Sequence, residues 1–257
     1  MKKLLIALFC LLNLFAASAA ENIIFESTYP IDNISKFEIG LSYENLYIES
    51  YFGSEISIQV DSNNIKMLPE INLDNEKLLL KSKNTKFKKA DYCKIKIFLP
   101  KEYSSKIISA STTKGLIQAS DISVLSLLKF SSVSGSIFAK NVSAPDLEIF
   151  TFSGMIQTDI LNTDFFSITS DSGAVEVSLL SSPSAFSEII NSTGPVSLFL
   201  PDDACIQLSA NTNTGKISDD INKTLLFSKN KYLMPFGKDG PSLNIKTNSG
   251  NIRINPL

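Results

Sequence analysis

"FTFSGMIQTDI", residues 150–160, sets a Ser-Gly pair between two β-prone runs. Nearly the same unit returns as Thr-Lys-Gly115-Leu-Ile, Val-Ser-Gly135-Ser-Ile, Asp-Ser-Gly173-Ala-Val, Ser-Thr-Gly194-Pro-Val, Asn-Thr-Gly215-Lys-Ile and Asn-Ser-Gly250-Asn-Ile. Together with Gly154 the glycines are spaced 20, 19, 19, 21, 21 and 35 residues. A period near 20 marks a repeat architecture in which each repeat is one supersecondary unit stacked on the next.

The flanking residues define the unit. Seven and five positions before each glycine stand apolar pairs: Ile108 and Ala110, Leu128 and Phe130, Leu147 and Ile149, Phe166 and Ile168, Leu208 and Ala210, Leu243 and Ile245. The Gly194 copy slips, offering Phe186 and Ile189. Two positions after the glycines stand Ile117, Ile137, Ile156, Val175, Val196, Ile217 and Ile252. This is period-two alternation, so strands flank each glycine. Apolar residues sit at odd offsets before the glycine and at even offsets after it. A straight strand would turn one set outward, so the chain must bend there. Glycine suits such a corner because it tolerates φ > 0. The Ser or Thr just before it (Ser134, Ser153, Ser172, Thr193, Thr214, Ser249) is expected to bond local backbone.

The expected fold is all-β: a single-chain parallel β-solenoid, a right-handed β-helix of coils about 20 residues long. A propeller blade needs four strands and about 40 residues, and Asn-Gly hairpin turns are missing between the runs. Residues 21–104 read as a less regular β-strand region that caps the solenoid and continues into it. Residues 105–257 hold the repeats, with an irregular insertion at about 218–242. Ile117, Ile137, Ile156, Val175 and Val196 should stack in one interior column.

The N-terminus, MKKLLIALFCLLNLFAASAAEN, reads as a signal peptide over residues 1–20: Lys2 and Lys3, an apolar run from Leu4 to Phe15, then small residues. The run is shorter than the ~20 residues that span a bilayer. No second such run follows, so the mature chain has no transmembrane segment, and the protein is expected in the periplasm, on the cell surface or in the medium. Removing the leader takes the formal charge from −2 to −4, and Arg253 is the sole arginine. That balance argues against nucleic acid. With no histidine in the chain, histidine-dependent catalysis and histidine metal sites are excluded.

The signal peptide, "KIKIFLP", the recurrent [Ser/Thr]-Gly-x-[Ile/Val] and the terminal "LNIKTNSGNIRI" resemble a bacterial family known as "putative adhesins", defined by β-strand repeats. The resemblance runs from about Phe37 to Ile254. It implies a parallel β-solenoid exposed in the envelope and supplies no catalytic residues and no cofactor.

Three side-chain groups bear on chemistry. Lys81, Lys83, Lys86, Lys88 and Lys89 form a candidate anion-binding patch for acidic glycan or phospholipid headgroups; as a plain turn they would discourage edge pairing. Asp202, Asp203, Asp219 and Asp220 could serve Ca²⁺ or glycosidase chemistry, but without EF-hand spacing they suit turns better. Cys93 and Cys205 form an even pair in an exported chain. Five coils at about 4.8 Å place them on the order of 20 Å apart, beyond the ~7 Å a disulfide allows. Two separate, mostly buried thiols are expected. The resulting reading is a non-enzymatic envelope module that contacts glycan or a surface protein. A polysaccharide lyase or hydrolase and an end-to-end stacking scaffold are the alternatives.

Overall fold

In the computed structural model, residues 23–83, 88–227 and 231–257 are described. The segment expected as a signal peptide, residues 1–20, and Lys86 lie outside them. The described residues are strands, turns and two short 3₁₀ segments, with no α-helix. Most strands pair in parallel, in an open β-helix-like stack.

Each rung contributes one strand before its corner (the entry ladder) and one after it (the exit ladder). In spatial order rung 1 is Lys77–Lys81 with Cys93–Pro100, and rung 2 is Lys36–Gly40 with Asn45–Tyr51. Rung 3 is Ser105–Thr112 with Ile117–Ser120. Rungs 4, 5 and 6 share the two long strands Ile137–Thr151 and Ile156–Ser170, preceded by Val124–Ser132 and followed by Val175–Leu179. Rung 7 is Ser187–Asn191 with Val196–Leu200.

The spatial order then departs from chain order. Ser242–Thr247 with Ile252–Pro256 follows as rung 8, and Ile206–Thr212 with Lys216–Asp219 lies outside it as rung 9. The N-terminal end does the same, since rung 2 precedes rung 1 in the chain. Intercalation is possible because every rung presents the same alternation at the same register, so any rung fits beside any other.

The interior column expected from sequence is present and longer: Ile95, Leu46, Ile117, Ile137, Ile156, Val175, Val196, Ile252 and Ile217 lie in register, all at most 1% exposed. On the entry ladder, the Gly194 copy keeps its register after all. Ile189 pairs with Ile168 and Ile245, Ser187 fills the other column position, and its Oγ accepts from the Phe166 N–H (3.1 Å). Phe186 points outward, 46% exposed.

Antiparallel strands close both ends. Glu70–Asp74 and Glu55–Ser62 flank rung 1, with Ile23–Pro30 beyond the latter. Lys231–Phe236 and Thr224–Phe227 flank rung 9. The segment expected as an irregular insertion thus supplies two regular strands.

Candidate functional site: the corner ridge and the exit-ladder face

The glycine corners line up along one ridge of the stack. A Cβ on Gly154 would lie 2.0 Å from the Gly135 carbonyl oxygen; on Gly135, 1.8 Å from that of Gly115; on Gly173, 1.8 Å from that of Gly154. The same contact links Gly194 to Gly173, Gly250 to Gly194 and Gly215 to Gly250, which traces the intercalated order of rungs 7, 8 and 9. The expected φ > 0 is not found at these corners: Gly237 alone among the described glycines has it. Glycine is required because neighbouring backbones touch. The left-handed residues Asp121 (φ 55°) and Asn141 (φ 51°) sit at the opposite turn, where Asn141 Nδ2 donates to Asp121 Oδ1 (2.9 Å).

The side chain that holds each corner is three residues before the glycine, not directly before it as expected. The Gly115, Gly135, Gly154 and Gly173 N–H groups donate to Thr112, Ser132, Thr151 and Ser170 hydroxyls at 2.7–3.0 Å. Asn191, Thr212 and Thr247 do the same for Gly194, Gly215 and Gly250. All seven acceptor residues are buried. The signal was legible as [Ser/Thr/Asn]-x-x-Gly in every copy. The residues directly before the glycines do not bond local backbone. Ser134, Ser153 and Ser172 donate to carbonyls of the preceding rung, those of Thr113, Val133 and Phe152.

At the ridge tip, two residues before each glycine, stand Thr113, Val133, Phe152, Asp171, Ser192, Asn248 and Asn213. Five are polar, while the adjacent Val133 and Phe152 are 51% and 54% exposed. Phe150, 45% exposed, lies beside them on the outer face. The lysines lie at the N-terminal end of the same ridge. Lys83, Lys88 and Lys89 are exposed in the corner of rung 1, which is tied to rung 2 by the Ser82 N–H to the Gly40 carbonyl (3.0 Å). The Lys88 N–H donates to Asp91 Oδ2 (2.8 Å). Lys81 sits opposite Glu70, and Lys114 lies 5.2 Å from the Tyr43 ring centroid. Residues 77–114 carry eleven lysines against Asp91 and Glu102, a concentration that the near-neutral total conceals.

Beneath this end Glu44 is fully buried. Its carboxylate accepts from the Ser42 and Tyr43 N–H groups (both 2.9 Å) and from the Ser82 hydroxyl (2.7 Å). The side chain thereby replaces the carbonyls that a regular corner would offer from the next rung.

The exit ladder turns a flat stripe outward. One residue per strand, in register, are Gln59, Lys96, Tyr47, Gln118, Phe138, Gln157, Glu176, Ser197 and Arg253. Lys94 lies 4.6 Å from the Tyr47 ring centroid, and Gln157 Nε2 donates to Glu176 Oε1 (3.1 Å). A shallow groove of about 250 Å³ opens on this stripe between Gln118, Phe138, Lys140, Gln157 and Asp159.

The four aspartates do not converge. Asp202 and Asp203 are exposed in a turn closed by the Ala204 N–H to the Pro201 carbonyl (3.0 Å). Asp219 is 1% exposed at the last interior position of rung 9. It accepts from the Ile221 and Asn222 N–H groups, Asn222 Nδ2 and the Tyr232 hydroxyl. Burial works to raise its pKa, but these hydrogen bonds, led by Tyr232, hold it below the usual carboxylate value. Asp220 is exposed beside it. Among the described residues no three Cys, Asp or Glu side chains gather as metal ligands.

Cys93 and Cys205 are both free, the first buried and the second half-buried. Intercalation puts them eight rungs apart, more than chain order suggests. Burial, then the nearby Glu44 charge, pushes the Cys93 thiol up to about 12. No described helix is long and apolar enough to cross a membrane.

No curated protein matches this chain. Three solved structures are similar to it at low identity. A "putative cell adhesion protein" from Clostridium sporogenes is 12% identical, with 92% of this chain and 100% of that one covered and a TM-score of 0.47. A "putative adhesin" from Bacteroides fragilis is 12% identical, with 91% and 98% covered and a TM-score of 0.47. A "putative lipid binding protein" from Parabacteroides distasonis is 15% identical, with 90% and 96% covered and a TM-score of 0.43. The model of the Toastrack DUF4097 family matches residues 34–255, from the first buried strand to the last. On that match, and with its repeated parallel rungs, the chain belongs to the Toastrack DUF4097 family.

Proposed function

We propose that this chain is an exported, non-enzymatic envelope module that binds glycan along the outer face of its exit ladder. The observation that carries the reading is the stripe of amide, aromatic and charged side chains at one per strand. Spaced by about 4.8 Å, it offers rings to stack on sugar faces and amides to bond hydroxyls. Each contact is weak, so affinity would come from many sites on one polymer. In this reading residues 1–20 are removed on export, and residues 21–257 form the working unit. Right-handed crossovers prevail between parallel strands, so the coil is assigned that hand.

Several features support a binding role over the alternatives. The aspartates occupy turns or are saturated with hydrogen bonds, which disfavours a lyase or hydrolase. End-to-end stacking is opposed by antiparallel strands over both end rungs, by Pro235 and Lys231 on an outer strand and by the Asp219 carboxylate in the interior column. The test is a glycan array probed with the purified chain, then repeated with Phe138→Ala and Gln118→Ala. Binding to a linear glycan that weakens in both variants, with the fold unchanged, supports the reading. Polysaccharide cleavage, or binding that ignores both substitutions, overturns it.

A further inference from the structure

We propose that the corner ridge from Lys88 to Phe152 docks edge-on against an anionic lipid surface, independently of the exit-ladder face. The repeat supplies its own controls. Seven equivalent tip positions share the same backbone, and five carry Thr, Asp, Ser or Asn. The corner therefore has no need of an apolar tip. Val133 and Phe152 nonetheless stand on adjacent rungs, about half exposed, with Phe150 beside them. An apolar cluster left half exposed on the crest of a turn is the usual mark of an interaction surface.

The charge beside it says what the surface meets. Following the ridge toward rung 1, Phe152 and Val133 give way to Lys114 and Tyr43, 5.2 Å apart, and then to exposed Lys88, Lys89 and Lys83. Of the acids nearby, Asp91 is held to the Lys88 N–H, Glu70 faces Lys81 and Glu44 is buried and saturated. Asp171, on the rung after Phe152, marks the far end. Basic residues attract anionic headgroups, at about 1 kcal/mol or roughly fivefold in partitioning each, while Val and Phe side chains enter the headgroup–acyl boundary. A soluble polyanion would use the lysines and leave the apolar tips idle. The tips therefore favour a bilayer over a dissolved acidic polymer. In this pose the stack axis lies along the membrane.

The test is vesicle flotation with residues 21–257, which contain every strand described above. Phosphatidylcholine vesicles are compared with phosphatidylcholine–phosphatidylglycerol vesicles, and soluble alginate serves as a polyanion arm. The expected result is co-flotation with the phosphatidylglycerol vesicles only, weakening with salt. Val133→Thr with Phe152→Ser installs residues that other rungs already carry, so the fold should stand, checked by unchanged circular dichroism. This pair should reduce association about tenfold or more. Lys88→Glu should reduce it about fivefold or more. Failure to float with anionic vesicles overturns the proposal. So does binding to vesicles and alginate alike that the apolar pair does not alter, since the ridge would then be a polyanion site.

Discussion

Gly154→Ala is the smallest change that separates two reasons for a glycine at the corner. The added Cβ would lie 2.0 Å from the Gly135 carbonyl oxygen and 2.6 Å from its carbon. Carbon–oxygen contacts settle at about 3.3–3.6 Å, so rungs 4 and 5 would have to part locally by more than an ångström. Three ladder bonds cross that opening: the Phe152 N–H to the Ser132 carbonyl (3.1 Å), the Ser153 N–H to that of Val133 (3.0 Å) and the Ile137 N–H to that of Met155 (2.8 Å). Each is worth about 1 kcal/mol net, with a further ~1–3 kcal/mol for a buried group left unpaired. The expected loss is about 3–6 kcal/mol, or roughly 6–24 °C in Tm for a chain of this size. If φ > 0 were the reason for the glycine, alanine would cost only about 1–2 kcal/mol. Gly40→Ala is the control, because its Cβ would meet nothing closer than Ser111 Oγ at 3.9 Å. Its effect should stay within about 0.5 kcal/mol. Urea unfolding of both variants reads the difference. A Gly154→Ala loss of about 1 kcal/mol or less would refute the close-approach argument.

The rung order makes an asymmetric prediction for hydrogen exchange followed by mass spectrometry. Gly250→Ala should expose residues 206–219 as well as 242–256, whereas Gly215→Ala should leave 187–200 and 242–256 largely protected; protection of 206–219 in Gly250→Ala would contradict intercalation. Asp219 predicts part of the acid limb of stability. Its folded pKa is depressed, so its contribution is full above the unfolded carboxylate value of about 3.9 and is lost as pH falls through the folded value. Asp219→Asn should lower stability at neutral pH and flatten the decline on acidification, measured as urea midpoints at several pH values. An unchanged acid limb would remove Asp219 from that role.

Local sequence pattern is enough to specify the repeat, the strands and the interior column. These are local: period-two alternation around Gly115 to Gly250 fixes which side chains point inward wherever the rung docks. It also placed Asp202 and Asp203 in a turn and kept the two thiols apart. The candidate site was legible only in pieces. The lysine run stands out, but nothing in the local pattern singles out Val133 and Phe152, because only the aligned corners make them a patch beside Lys114. The φ > 0 assignment failed for a related reason: what excludes a Cβ at Gly154 is the carbonyl of Gly135 in another rung, which no local pattern displays. The order of the stack is set by long-range packing. Ile217 and Ile252 fit the same column, and Gly215 and Gly250 the same ridge. Chain order and intercalated order therefore satisfy the local code equally. The choice falls to the ends, where Tyr232 reaches back to the buried Asp219 and antiparallel strands cover rung 9. Those strands occupy the outer edge of rung 9, which leaves its inner edge, beside rung 7, to residues 242–256.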